Sequence, residues 1–328
     1  MRRSRFRRTR FAPSPTGFLH AGHLASALYV WGLARAHGAE VFLRIEDHDA
    51  GRSRREYTEA IMRDLDWVGL DWANDTGSDA PRSLDALRTS AGPFTQSSRL
   101  ELYEWASARL DEQGLLYACS CSRREVQQRM QQEGADENEL HYTGECRDKG
   151  LPLAQDVGWR VRMPDAAVTF DDLIVGERTQ RPARQCGDLL IRDRHGNWTY
   201  QFAVVVDDLF QDMDLVVRGQ DLLESTGRQI ALGRMLGRSA PPAFAHHRLL
   251  LGGDGRKLSK RAFSAAIAKD REAGVAPEVL LGGVAHALGW QDANRPVRLD
   301  QCLEWVVREG RRHAAADGSL SGPPRGKP

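Results

Sequence analysis

Lysine is nearly missing from this chain of 328 residues: Lys149, Lys257, Lys260, Lys269 and Lys327 are the full set, so arginine supplies almost all of the 46 basic residues. Against that background, two lysines three positions apart in RKLSKRAF need a reason. Cysteine is scarce too, with 5 in the chain, at 119, 121, 146, 186 and 302. So few, so unevenly spaced, they exclude a disulfide framework in a protein of this size. No apolar run approaches the ~18 residues of a membrane span, and no charged-then-apolar leader is visible, so the expected location is the cytoplasm. Net charge is only +1, which removes any global pull toward nucleic acid or membrane. Locally, MRRSRFRRTR is dense in arginine and is open to two readings, a solvated tail or a phosphate-contacting arm.

What is present reads as a soluble globular chain with room for about two domains of ~150 residues each. RTRFAPS predicts a strand entering a loop that Pro13, Pro15 and Gly17 keep from becoming helix. LASALYVWGLARAHG predicts a helix closed by Gly38, and VFLRI, residues 41–45, a compact apolar strand. Strand, loop, helix and strand form the first unit of a parallel α/β sheet. Two further helices are expected at YTEAIMRDLDWVGL and RLELYEWASARLDEQG, with a polar surface insertion between them at ANDTGSDAPRSLDALRTSAG. Periodicity weakens from Cys119 to about Cys186, which suggests an inserted second domain with one polar helix at EVQQRMQQEG. Strands are expected again at DLLIR, WTYQFAVVV and MDLVVRG, as a resumption of the sheet. VLLGGVAHAL and QCLEWVVREG read as helices, and DGSLSGPPRGKP is too polar and too rich in Gly and Pro to pack.

His20-Ala21-Gly22-His23 falls where the first loop enters its helix. A helix start offers unpaired N–H groups and a positive dipole end, which suits a phosphate. Gly22 removes the side chain that would keep a base or ribose off the backbone. On these four residues alone, a histidine pair at a helix start reads first as structural. In GGDGRKLSKR, glycines and Asp254 make a turn-forming loop that carries Lys257 and Lys260. An ammonium is a compact point charge that can follow a triphosphate oxygen through a reaction, whereas a guanidinium prefers fixed planar forks.

HAGH followed by KLSKR resembles the paired signatures of class I aminoacyl-tRNA synthetases. RFAPSPTGFLHAGHLASALYVWGLAR, FLRIEDHDAGRS, GPFTQSSRLELYEWASARLDEQGLLYACSCS, DLLIRDRHGNWTYQFAVVVDD, VRGQDLLEST and HRLLLGGDGRKLSKR together resemble the catalytic half of glutamyl-tRNA synthetases. The resemblance implies a Rossmann-like parallel α/β sheet split by an inserted zinc-containing domain and followed by a short helical region. The corresponding spans are 8–118 and 187–265 for the two halves of the catalytic domain, 119–186 for the insertion, 266–312 for the helical region and 313–328 for a disordered tail. It further implies a glutamate site at Arg10, Phe11, Ala12, Pro13, Ser14, Glu46, Tyr200 and Arg218. Two carboxylates and an ammonium call for bidentate arginine and an acid, roles that suit Arg10, Arg218 and Glu46. A structural strand-end pair is the other reading of Glu46 and Asp47. ATP, with Mg²⁺, is expected at His20, Gly22, His23 and Lys260, and catalysis at His20, His23, Lys257 and Lys260. Two departures from the family pattern stand out, Ala21 for a larger apolar residue and Arg261 for a final serine.

Cys119, Cys121 and Cys146 place three thiols in the insertion, and buried free cysteines are the alternative to a metal site. Resemblance to the short paralogs of the family implies one structural zinc on Cys119, Cys121, Tyr142 and Cys146. His141 beside Tyr142 is a competing fourth ligand. Cys186 and Cys302 are expected to be structural. After the lysine loop come only a short helical stretch and a polar tail, with no room for a normal anticodon reader. That combination resembles the glutamyl-queuosine tRNA(Asp) synthetases, which activate glutamate with ATP and pass it to queuosine in the anticodon of tRNA(Asp). A splayed single-stranded loop is a plausible target for such a pocket. The expected partners are ATP, L-glutamate and queuosine-bearing tRNA(Asp), with the chain acting as a monomer. Three other functions stay open: a shortened synthetase charging a tRNA 3′ end, a small-molecule nucleotidyltransferase, and a non-catalytic zinc and RNA-binding paralog.

Overall fold

The structure, a computed structural model, describes residues 5–48, 51–73, 95–132, 140–154, 156–250 and 266–318. Strand β1 (Arg8–Phe11) enters the Pro-rich loop, helix α1 (Ala21–His37) follows, and β2 (Glu40–Leu43) returns parallel to β1. This is the expected first unit, and α1 ends at Gly38 as read. Leu24, Ala27, Leu28, Tyr29, Val30, Trp31 and Leu33 are all buried, on more than one face of the helix. Such a helix sits inside the core, and here α10 (Leu299–Gly318), reached through α8 (Ile267–Glu272) and α9 (Pro277–Ala287), covers its outer side with Cys302, Leu303 and Val306. Between these lie α2 (Arg55–Val68), α3 (Leu100–Glu112), β3 (Leu116–Cys119), α4 (Arg123–Gln132), β4 (Gly158–Val161), β5 (Val168–Asp172), β6 (Gly176–Gln180), α5 (Pro182–Gln185), β7 (Leu189–Arg192), α6 (Tyr200–Phe210), β8 (Leu215–Gly219), α7 (Thr226–Met235) and β9 (Ala243–His247).

Strands β8 and β9 pair in parallel, with Arg218 opposite His246, and β9 pairs in parallel with β5, which pairs antiparallel with β6. β1 lies beside β8: the Asp214 carboxylate accepts Arg7 N–H and Arg8 N–H, and Asp214 N–H donates to the Arg8 carbonyl at 3.2 Å. The mixed α/β architecture with parallel strands is the one expected. Arg7 also pairs with Asp212, and the Arg8 guanidinium donates to the Gln211 carbonyl at 3.2 Å.

Two strand assignments are corrected. WTYQFAVVV is not a strand: Tyr200 to Phe210 form helix α6, whose Phe202 to Val206 are all buried. An uninterrupted apolar run carries no period to separate a buried strand from a buried helix. DLLIR is a strand, but it joins the antiparallel sheet β3-β4-β7 and does not resume the parallel one. Most of ANDTGSDAPRSLDALRTSAG, and the lysine loop with Lys257 and Lys260, lie outside the described residues; α10 runs to Gly318, into the span read as a tail. Among the described residues no helix is long and apolar enough to cross a membrane.

Candidate active site and thiol cluster

A cavity of about 370 Å³ opens at the C-terminal ends of β1 and β8, over the start of α1. In open α/β sheets this is where ligands bind. Arg10, Phe11, Ala12 and Pro13 line it from β1 and its loop, Glu46 from the chain just after β2, Tyr200 from the start of α6 and Arg218 from β8. His20, Gly22 and His23 line it from α1. Ser14 is exposed and is not among the lining residues. Ser26, His247, Arg248 and Leu250, which were not singled out in the sequence, also face the cavity.

His20 is the N-cap of α1. Its Nδ1 accepts the Gly22 N–H at 3.1 Å, and His23 Nδ1 accepts the His20 N–H at 3.2 Å, a reciprocal capping box made from two imidazoles. The rings lie 3.9 Å apart between centroids. Because both Nδ1 atoms accept, each neutral ring carries its proton on Nε2, where it can donate to a ligand. A side chain at Gly22 would bring Cβ within 3.0 Å of the His20 ring, so glycine also makes room for this fold-back.

The side of the cavity lined by Arg10 and Glu46 rests on a buried charge network that carried no mark in the sequence motifs. Arg10, 4% exposed, donates to Asp208 at 3.0 Å and to the Val217 carbonyl at 3.4 Å. Fully buried Arg44 reaches Asp208 at 2.8 Å, Glu46 at 3.5 Å and Asp207 at 3.8 Å. Burial would raise the Asp208 carboxyl, but Arg10 and Arg44 outweigh it and hold the group at about 2. Burial pushes Glu46 above the usual carboxylate range, with Arg44 and Arg10 opposing. Burial, then Glu46, raises the Tyr200 phenol. The two acids after β2 part ways. Glu46 faces the cavity, while Asp47 accepts Ser97 N–H at 2.8 Å and the Ser97 hydroxyl at 2.6 Å, holding the turn before α3. The missed signal was present: Arg44 inside an apolar strand and an Asp-Asp pair ending an apolar run each require buried partners.

Although Lys257 and Lys260 are outside the described residues, the chain on either side of residues 251–265 meets the pocket region. Leu250 lines the cavity, and Ile267 N–H donates to the Leu19 carbonyl at 2.9 Å, one residue before His20.

In the insertion the sulfurs of Cys119, Cys121 and Cys146 lie within 4.8 Å of one another. Cys119 Sγ donates to Tyr142 Oη at 3.4 Å, and the same oxygen accepts the Cys146 N–H at 2.8 Å. His141 is turned away, its Nε2 at 3.3 Å from the Ala183 carbonyl. Burial pushes the Cys146 thiol up, but hydrogen bonds from Ser120, Tyr142 and Cys121 outweigh it and leave Cys146 below the usual thiol range. Convergent soft donors of this kind fit a zinc ion, and the cluster is consistent with a zinc site. Gly187 seats the loop: a Cβ there would lie 1.7 Å from the Tyr142 carbonyl. Cys186 donates to the Pro182 carbonyl, and Cys302 is buried in the core under α1, its thiol pushed by burial up to about 12.

Comparison with known proteins agrees with this geometry. The chain is 40% identical over 302 residues to Glutamyl-Q tRNA(Asp) synthetase of Symbiobacterium thermophilum, covering 90% of both chains. It is 37% identical over 313 residues to Glutamate--tRNA ligase 1 of Alkalilimnicola ehrlichii, but spans only 62% of that protein's length. The fold matches the crystal structure of Glutamate-tRNA Synthetase from Elizabethkingia anophelis with a TM-score of 0.73 at 26% identity, covering 96% of this chain and 71% of the other. Residues 7–303 match the family described as tRNA synthetases class I (E and Q), catalytic domain, and it is to this family that the chain belongs.

Proposed function

We propose that the protein activates L-glutamate with MgATP and transfers the glutamyl group to queuosine in the anticodon of tRNA(Asp), acting as a monomer in the cytoplasm. The observation that carries this reading is the co-extensive match to the Symbiobacterium protein, since the glutamate–tRNA ligase of Alkalilimnicola ehrlichii is matched over 62% of its length. The pocket chemistry supports the first step. Arg10 and Arg218 suit the two carboxylates and Glu46 the ammonium, which sets the α-carboxylate oxygen to attack the α-phosphorus of ATP as the bond to pyrophosphate breaks. Charge growing on the phosphoryl oxygens meets the Nε2–H groups of His20 and His23 at the start of α1, and Lys257 and Lys260 supply further positive charge. A hydroxyl of the queuosine cyclopentenediol then attacks the adenylate carbonyl, giving up its proton as the ester forms and AMP leaves.

Labelled glutamate is expected on queuosine-containing tRNA(Asp), and after ribonuclease digestion on the anticodon fragment and not on the 3′-terminal adenosine. Labelling of tRNA(Glu) in its place overturns the reading. One zinc per chain is expected by elemental analysis, held by Cys119, Cys121, Cys146 and Tyr142 in a structural role. Cys121→Ser should release it and lower the melting temperature of the insertion; a zinc-free wild type with all thiols reduced argues for simple buried cysteines.

A further inference from the structure

Arg10 and Arg218 face one cavity but are held in different ways. Arg10 is paired directly with the Asp208 carboxylate at 3.0 Å. Arg218, 5% exposed, donates through Nε to His246 Nε2 at 2.9 Å and through its two terminal nitrogens to Gln229 Oε1 at 2.6 Å and Thr226 Oγ1 at 2.9 Å. Every one of those acceptors is uncharged. The nearest anion in this chain of bonds stands one residue further back. Asp172 Oδ2 takes His246 Nδ1 at 2.6 Å, and its Oδ1 accepts the backbone N–H groups of Ile174, Val175 and His246 at 3.0, 3.0 and 3.2 Å.

This geometry sets the proton. An ionised carboxylate only accepts, so Nδ1 of His246 must carry hydrogen, and the Nε2 lone pair is left for the Arg218 Nε–H. Burial also keeps the His246 pKa below its usual value, which agrees with a neutral ring. The sheet enforces the arrangement, because Arg218 and His246 are register partners on β8 and β9, and Asp172 ends β5 on the other side of β9. Asp172 comes from the span read as the insertion, so that segment supplies a support for the pocket.

We infer that Asp172 and His246 are positioning residues that fix the Arg218 guanidinium across the cavity while leaving its charge for a carboxylate of the substrate. A carboxylate bonded to Arg218 itself would weaken the attraction and narrow the margin over a neutral amide side chain. An imidazole in between holds the same nitrogen without that cost, and so favours a dicarboxylic amino acid over its amide. This inference rests on the reading of the cavity as a glutamate site.

The test is Asp172→Asn, alone and with Arg218→Ala, in glutamate-dependent exchange of pyrophosphate into ATP. Asparagine keeps an oxygen for the three backbone N–H groups but presents an NH₂ to Nδ1, which forces the proton to Nε2 and sets donor against donor at Arg218. The glutamate KM should rise about 10- to 100-fold, the ATP KM should stay within about twofold, and discrimination against glutamine should fall. In the Arg218→Ala background the same substitution should change the glutamate KM by less than about twofold. Equal effects in both backgrounds, or a matching rise in the ATP KM, overturn the positioning role while leaving the glutamate site in place. If Arg218→Ala by itself leaves the glutamate KM unchanged, the glutamate reading falls and this inference with it. Nitrogen NMR of the wild type decides independently of whether Asp172→Asn folds: His246 protonated on Nδ1 supports the inference, and protonation on Nε2 overturns it.

Discussion

Replacing Arg44 by leucine is expected to cost about 3–5 kcal/mol of unfolding free energy, measured by urea denaturation. Arg44 is fully buried, and burial alone would lower its pKa, but Asp208, Asp207 and Glu46 outweigh that and hold it above its usual value. Without it, buried Glu46 loses its ion-pair partner at 3.5 Å and Asp208 is left with Arg10, while Asp207 keeps Arg99 at 3.4 Å. An uncompensated buried carboxylate is among the few single changes that cost so much. The pH dependence gives the sign. In the wild type, Asp208 has a folded pKa below its unfolded value of ~3.9, so its contribution is complete above that value and is lost as pH falls toward about 2. In Arg44→Leu the carboxylates left behind are pushed up, so the variant should gain stability on mild acidification from neutral pH. A loss below about 1 kcal/mol, or no difference in pH dependence, would show that the network relaxes around the gap.

How far such features can be read ahead depends on whether the interaction is local in the chain. Arg10, Glu46, Tyr200 and Arg218 stand in recognisable stretches, and the parallel sheet brings all four to one cavity. HAGH was placed at a helix start because a Pro-rich loop precedes it, and it lies there. Arg44 was passed over because its strand is short and apolar, and the partners that explain it, Asp207 and Asp208, sit on α6, a segment read as strand. A misassigned helix therefore hid the floor of the site as well. Asp172 and His246 carry no local signal at all: they meet only because β5 and β9 pair in parallel across a long sequence separation. The surroundings of the thiol cluster were likewise tertiary: Tyr142 turns toward Cys119, and His141 toward the Ala183 carbonyl.

His20→Asn is expected to lower the rate of glutamyl adenylate formation about 10²- to 10³-fold while leaving the melting temperature nearly unchanged. The sequence left a structural and a catalytic reading of HAGH open, and the capping box shows why the choice is not exclusive. His20 caps α1 through Nδ1, which accepts the Gly22 N–H, and this same bond directs Nε2–H away from the backbone as a donor. Asparagine is among the best N-cap residues, so it replaces the first function and not the second. His20→Ala removes both and should add a loss of about 1 kcal/mol in stability to the same loss in rate. His23 makes the converse case: its Nδ1 accepts the His20 N–H, and His23→Gln can restore that bond as the third residue of a capping box without restoring a ring donor. Single-turnover adenylate formation and thermal unfolding, measured on the same preparations, separate the two roles. If His20→Asn and His23→Gln retain the rate, the pair is only a cap, and the transition-state charge must be met by Lys257 and Lys260 together with the helix N-terminus.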